Sequence, residues 1–184
     1  WQGNATKFNP NGKPLSPITS GFTGGGMQGG TFGAAIDLKG NVWLASYGSK
    51  SITVFDKDGK PLTPPDGINF GGRLGLMQGI ITAPDGDVWA LGVSRRQLLH
   101  FPKGDWNNGR IVCEGDSAEP CKSFTAPFHL AIDQQDYIWV SNSIGSSVIR
   151  FHVSDPTKVE KFDVGFSGSG MAIDSQGNVW HAER

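Results

Sequence analysis

An all-β fold is predicted for this 184-residue chain, and three observations carry the prediction. One eleven-residue pattern recurs four times along the sequence. Glycine and proline, at 27 and 11 residues, interrupt the chain too often for long helices. No window keeps an apolar period of 3.6 residues, whereas short runs of β-branched and aromatic residues alternate as half-buried strands do.

The four copies align without gaps. They are Gly33-Ala-Ala-Ile-Asp-Leu-Lys-Gly-Asn-Val-Trp43, Gly79-Ile-Ile-Thr-Ala-Pro-Asp-Gly-Asp-Val-Trp89, His129-Leu-Ala-Ile-Asp-Gln-Gln-Asp-Tyr-Ile-Trp139 and Gly170-Met-Ala-Ile-Asp-Ser-Gln-Gly-Asn-Val-Trp180. Each reads as an apolar strand, a turn that tolerates positive φ, and a second strand opening on Val-Trp or Ile-Trp. Twelve residues beyond Trp43, Trp89 and Trp139 stand Phe55, Phe101 and Phe151, each inside a third alternating strand. A fourth strand is fainter, with Val159-Glu-Lys-Phe162 as one candidate. The tryptophans are 46, 50 and 41 residues apart. Periods of about 40–50 residues with four short strands each are those of β-propeller blades. The regular tryptophans are therefore expected in the core or between blades. Residues 1–184 are read as one propeller domain or a portion of one.

The formal charge of −1, with 16 basic residues scattered along the chain, excludes a phosphate-binding surface of the nucleic-acid kind. Arg95 and Arg96 form the one short basic pair. No run of 18 apolar residues is present, so no membrane-spanning helix is expected. Cys113 and Cys121 bracket the acidic loop Glu-Gly-Asp-Ser-Ala-Glu-Pro, which lengthens the 50-residue interval. A disulfide between them is expected, and with it a secreted or periplasmic setting. Gly24-Gly-Gly26 and Gly71-Gly72 lack the Lys-Ser/Thr of a phosphate loop, and Asp56-Lys-Asp58-Gly59 is too short for a calcium loop. Asn4-Ala-Thr6 matches a glycosylation sequon, a short pattern that chance often produces.

The two ends complement each other. Trp180 is followed by four residues, and counting on from Arg184 to the start of the chain places Phe8 twelve residues after it. Asn4-Ala-Thr-Lys-Phe8-Asn-Pro-Asn-Gly12-Lys-Pro-Leu15 also matches Ser51-Ile-Thr-Val-Phe55-Asp-Lys-Asp-Gly59-Lys-Pro-Leu62. The first and last segments are thus two halves of one composite blade, joined within one chain or between two chains of a homodimer. The other reading is a fragment of a longer propeller, in keeping with a sequence that opens at Trp1 in mid-pattern.

The pattern Gly-x-Ala-Ile-Asp-x-x-Gly-Asn-Val-Trp, followed by Phe, Gly-Lys-Pro-Leu and Gly21-Phe-Thr-Gly-Gly-Gly26, resembles bacterial NHL-repeat proteins. It is also similar to the streptogramin lyase (virginiamycin B lyase) branch of propellers. The resemblance implies four-stranded NHL-type blades and covers nearly the whole chain. It leaves activity open, because such propellers include lyases, lactonase-like hydrolases and binding scaffolds. For the lyases it implies a catalytic His at the first position of the hairpin motif, a Glu fourteen residues later, and magnesium. Here His129 holds that first position, but Ser143 stands where the acid belongs; in the last repeat the first position is Gly170 and Glu183 comes one residue early.

Loops that join strands two and three, and the connections between blades, gather at one end of a propeller around an axial funnel. The residues expected to feed it are Gln28, Gln78 and His129 on incoming connections, with Tyr47, Ser49, Ser94, Arg95, Arg96, Asn142, Ser143, His181, Glu183 and Arg184 on the turns. Ligand-binding candidates are Gln28, Gln78, Arg95, His129, Asn142 and His181; weak catalytic candidates are His129, His181 and Glu183. His129 reads as a general base only if a carboxylate approaches, and otherwise as a packed histidine between blades. His100 and His152 flank the repeated Phe and read as structural. The functional expectation is a binding or interaction scaffold with a small molecule or protein in the funnel, no nucleic acid or membrane partner, and no cofactor. The alternative is a lyase or lactonase-like hydrolase, which would add a divalent cation such as magnesium or calcium.

Overall fold

A computed structural model describes residues 3–183. All of its extended secondary structure is antiparallel. Blade 1 comprises β1 (Thr31–Ile36), β2 (Val42–Ser46) and β3 (Ser51–Phe55), with Ile68 bridged to Ile52 in the fourth-strand position. Blade 2 is complete: β4 (Met77–Thr82), β5 (Val88–Gly92), β6 (Gln97–Phe101) and β7 (Arg110–Glu114). So is blade 3, with β8 (Pro127–Ile132), β9 (Tyr137–Asn142), β10 (Ser147–His152) and β11 (Asp155–Asp163), the last containing the expected Val159–Phe162. The fourth repeat gives a two-stranded sheet, β12 (Gly168–Ile173) with β13 (Val179–Glu183). Three one-turn 3-10 helices are the helical content among the described residues. The sequence expectation of an all-β propeller architecture holds.

The inner strands β1, β4, β8 and β12 lie side by side in sequence order, so the blades stack face to face around a common edge. Two glycines permit this approach. A Cβ on Gly33 would sit 2.1 Å from the Gln78 carbonyl oxygen, and one on Gly79 would sit 2.4 Å from Leu130 Cδ2. Every inner strand also carries a register shift here, just before this position in β1, β8 and β12 and across it in β4.

The cores lie between blades. Trp43, Ile52 and Val54 of blade 1 pack with Met77, Ile80, Leu99 and Phe101 of blade 2; Trp89, Leu91 and Leu98 of blade 2 pack with Leu130, Val140, Ile149 and Phe151 of blade 3. Each joint pairs a tryptophan with the repeated phenylalanine of the following blade: Trp43–Phe101 at 5.0 Å and Trp89–Phe151 at 6.5 Å between ring centroids. The expectation that every repeat tryptophan is core therefore fails at the last one. Among the described residues nothing covers Trp180, which is 66 % exposed.

Cys113 and Cys121 form the expected disulfide, which ties the end of β7 to the buried turn before Phe124. Gly24–Gly26 is not a phosphate loop. Its carbonyls accept Thr53 Oγ1, Thr63 Oγ1 and Ser51 Oγ, and a Cβ on Gly26 would lie 2.3 Å from Gly67 N. Asp56-Lys-Asp-Gly59 is a turn closed on Asp56 Oδ1 by the amides of Asp58 and Lys60. The N-terminal strand bridges Ala5 to Phe22 and packs on blade 1, whereas β12 and β13 pack on blade 3. Among the described residues the two segments form no ladder within one chain.

Candidate functional site

The turns between second and third strands meet the incoming connections at one end of the blades. Ser49 N donates to Gln28 O at 3.0 Å, Val93 N to Leu76 O at 2.8 Å, and Ser143 N to Ala126 O at 2.8 Å. In blade 4 the register sets Glu183 opposite Gly168 at the same end. Gln28, Arg95, Ser143 and Glu183 thus each lie at the loop end of their own blade, with His129 and His181 further along their strands. Arg184 lies outside the described residues.

His129 is the exception in the inter-blade joint. It occupies the repeat position held by Gly33, Gly79 and Gly170, the position that faces the next blade. Its backbone N donates to Ser141 Oγ at 3.2 Å, while its ring has no hydrogen-bond partner among the described residues. The residue keeps solvent contact, yet desolvation by the surrounding chain holds its pKa below the ordinary imidazole value. The imidazole is therefore neutral near pH 7 and able to accept a proton or a hydrogen bond.

Gln78 lies next to Gly79 on the neighbouring inner strand; it is buried, and its Oε1 has no partner among the described residues. His181 stacks on Phe166 at 5.6 Å and covers Gly168, where a Cβ would fall 2.0 Å from its Nε2. Burial lowers its pKa as well, and both ring nitrogens are unpartnered among the described residues. Neither histidine meets a carboxylate among the described residues. Ser143, in the place the lyase pattern gives to an acid, donates its hydroxyl to Ala126 O at 3.2 Å.

Other candidates are held by the fold itself. Asn142 is buried; its Oδ1 accepts from Thr125 N, and its Nδ2 donates to Ser123 O and Ser147 Oγ. It pins the connection into β8, as Gln97 pins Arg73 and Gly75 before β4. Arg95 pairs with Glu114 at 3.2 Å, and Arg96 with Asp116 at 3.0 Å. His100 is bound by Asp87 at 2.6 Å and His152 by Ser154 at 2.7 Å, which makes both structural. Exposed Gln28 joins Ser49 in a polar cleft of about 230 Å³ completed by Asp66 and Asn69. The sequence signal for those last two was the turn after Pro64-Pro65.

No three His, Cys, Asp or Glu side chains converge among the described residues. The described residues by themselves make no donor set for magnesium or calcium.

A second repeated feature escaped the sequence reading. Asp37, Asp133 and Asp174 each accept the indole N–H of the tryptophan six residues on, at 3.0, 2.7 and 3.0 Å. Blade 2 has Ala83 at that position, and Trp89 Nε1 is buried without a partner among the described residues. Its carboxylate sits four residues later as Asp87, which binds His100 and the amide of Lys103; His100 in turn stacks on Trp89 at 4.1 Å.

Against this geometry, comparisons with known proteins establish the fold. No protein-family profile matches the chain, and no curated protein matches its sequence. Among solved structures, a gluconolactonase from Xanthomonas campestris superposes over 98 % of this chain and 63 % of its own, with a TM-score of 0.69 and 19 % identity. A catalytically inactive His-to-Ala variant of virginiamycin B lyase from Staphylococcus aureus, solved with quinupristin, matches 90 % of this chain and 51 % of its own, with a TM-score of 0.64 and 20 % identity. An extracellular domain assigned to a hybrid two-component system of B. thetaiotaomicron matches 91 % of this chain and 21 % of its own, with a TM-score of 0.65 and 14 % identity. This chain spans about half the length of the lyase and under two thirds of the gluconolactonase. The common fold is the β-propeller.

Proposed function

We propose that this chain forms part of a secreted or periplasmic β-propeller that binds a small polar ligand at its loop face, with His129 as the principal acceptor. The carrying observation is His129 itself. A bulky, neutral, unpartnered imidazole stands where the other three repeats have glycine, at the inner edge of the blade joint. Gln78, with a buried and unpartnered amide oxygen on the adjacent inner strand, supplies a second polar group. An unmade hydrogen bond at a buried amide costs about 1–3 kcal/mol, which a bound donor would recover. The disulfide and the extracellular neighbour support the location outside the cytoplasm.

The test uses the compounds that the neighbours point to, gluconolactone and quinupristin, as calorimetric probes of the native chain. Binding of one of them that weakens at least ~10-fold in His129→Ala supports the site. Binding unchanged by that substitution, or no binding of either, overturns it.

A second reading is an enzyme of the lyase or lactonase type, favoured by structural neighbours named as a virginiamycin B lyase and a gluconolactonase. In that reading neutral His129 is the proton acceptor, and the acid it lacks must come from elsewhere in the ring. Turnover of either probe, lost in His129→Ala, would select this reading over simple binding.

A further inference from the structure

The polar cleft at the loop end of blade 1 has two walls on one rigid frame. The connection into β1 and the turn after β2 supply Gln28 and Ser49, tied together by the 3.0 Å bond from Ser49 N to Gln28 O. The stretch around Ile68 supplies Pro65, Asp66 and Asn69. The walls close on each other at Gly26, where a Cβ would lie 2.3 Å from Gly67 N and 2.5 Å from the Asp66 carbonyl carbon. Gly67 N donates to Pro64 O at 2.8 Å, and the ring of Pro65 fixes its own φ. The lining side chains therefore stand on a backbone that is set before any ligand arrives.

What each side chain still offers follows from the bonds it has already made. Ser51 has one hydroxyl proton, which goes to Gly26 O at 2.9 Å. In the 2.8 Å contact between Ser49 Oγ and Ser51 Oγ the donor is therefore Ser49, which leaves Ser49 Oγ as an acceptor. Asn69 is set the other way. Its Oδ1 takes the amides of Gly71 at 2.9 Å and Gly72 at 3.4 Å, while Nδ2 uses one N–H on Asp66 O at 3.4 Å, so a second N–H is free to donate. The Asp66 carboxylate, which only accepts, has no partner among the described residues. Neither has the Gln28 amide, which both donates and accepts.

We propose that this cleft binds neighbouring hydroxyls of a sugar ring or short polyol. A hydroxyl gives one proton and takes another, so it needs acceptors and donors side by side. Asp66 and Ser49 accept, Asn69 donates, and Gln28 does either. An ammonium group only donates, and would leave the free Asn69 N–H facing a cation. A phosphate or carboxylate would meet Asp66 with like charge. The cleft volume of about 230 Å³ lies below the ~300–1,000 Å³ of drug-sized sites, which limits the occupant to one ring or a chain of a few carbons. The cleft belongs to blade 1 and His129 to blade 3, so this site does not rest on the reading given for His129.

The probes are glucose and erythritol, a ring and a linear polyol, with methylammonium as the rival, each titrated into the native chain by NMR and calorimetry. Saturable, millimolar binding of glucose or erythritol is expected. Asp66→Asn keeps the shape of the residue and should weaken that binding at least ~10-fold. Asn69→Asp keeps an oxygen for Gly71 and Gly72 but replaces the free N–H by an acceptor, and should weaken it as much. Circular dichroism should be unchanged in both variants, since neither residue is buried. His129→Ala should leave binding in the cleft intact. Absence of saturable binding of either polyol overturns the proposal, as does polyol binding that both cleft substitutions leave unchanged. Polyol binding lost in His129→Ala but kept in Asp66→Asn moves the ligand to blade 3 and overturns it. Methylammonium binding tighter than either polyol, and lost in Asp66→Asn, overturns it in favour of an amine site.

Discussion

Truncating the repeated aspartate should cost stability in proportion to how deeply its tryptophan is buried. Asp37 accepts four hydrogen bonds: Lys39 N, Asn41 N and Asn41 Nδ2 at 2.9 Å, and Trp43 Nε1 at 3.0 Å. Asp174 accepts the same four from Gln176 N, Asn178 N, Asn178 Nδ2 and Trp180 Nε1. The motif is common to both, but the surroundings differ. Trp43 is fully buried and Trp180 is 66 % exposed. In Asp37→Ala the indole N–H is stranded away from water at about 1–3 kcal/mol, and the lost turn bonds add roughly 1 kcal/mol. In Asp174→Ala water replaces the carboxylate at the indole, and about 1 kcal/mol or less is lost. Asp133→Ala should fall between them, because Trp139 is half-buried. Urea denaturation followed by circular dichroism would measure the series. Equal losses at the three positions, or the largest loss at Asp174, would refute the claim that the buried indole bond dominates.

Four further outcomes are expected. Asp174 titrates at about 2, held down chiefly by the Trp180 N–H and then by Asn178, so carbon NMR should find this pKa rising in Trp180→Phe. His129 and His181 both have lowered pKa values, so the unfolded chain takes up their protons first. Their effect on stability is nil well above the ordinary imidazole pKa near 6.5 and destabilising as pH falls through it; His129→Gln should flatten the loss of urea stability between pH 7 and 5, and an unchanged slope would count against the assignment. Ala83→Asp should fail to stabilise blade 2 alone, because it places a second carboxylate near Asp87, whereas Ala83→Asp with Asp87→Asn should gain about 1 kcal/mol over the single change; thermal melts would separate the two. Reducing Cys113–Cys121, which closes a loop of separation 8, should lower stability by about 2–3 kcal/mol, and no change in the melt would refute a stabilising bridge.

What was legible in the sequence was periodic. The hairpin motif and the Trp-to-Phe spacing each recur often enough to stand out, and they fix the strands because a blade is a local unit. Relations across the pleat were harder to see. The Asp–Trp bond joins residues on either side of a turn, and nothing in the spacing says that an indole N–H reaches back to the carboxylate. In blade 2 the carboxylate moves to Asp87 and serves His100 instead, a change that reads in the sequence as ordinary drift. Asn142 looked like a free loop amide until its three backbone and hydroxyl partners were placed.

His129 marks where pattern and geometry have to be joined. The alignment made it conspicuous among glycines, but it read equally well as a side chain packed between blades. The neighbours of that position differ from joint to joint. At Gly33 and Gly79 the following inner strand sits where a side chain would be, so a histidine in those joints would force the blades apart. Between blades 3 and 4 the histidine is exposed, and its ring, unlike its backbone N, has no hydrogen-bond partner among the described residues. A residue needed only for packing would be better served by the glycine that closes the other joints. An exposed ring at this place, where the other three repeats carry glycine, is the feature on which the proposed ligand site rests.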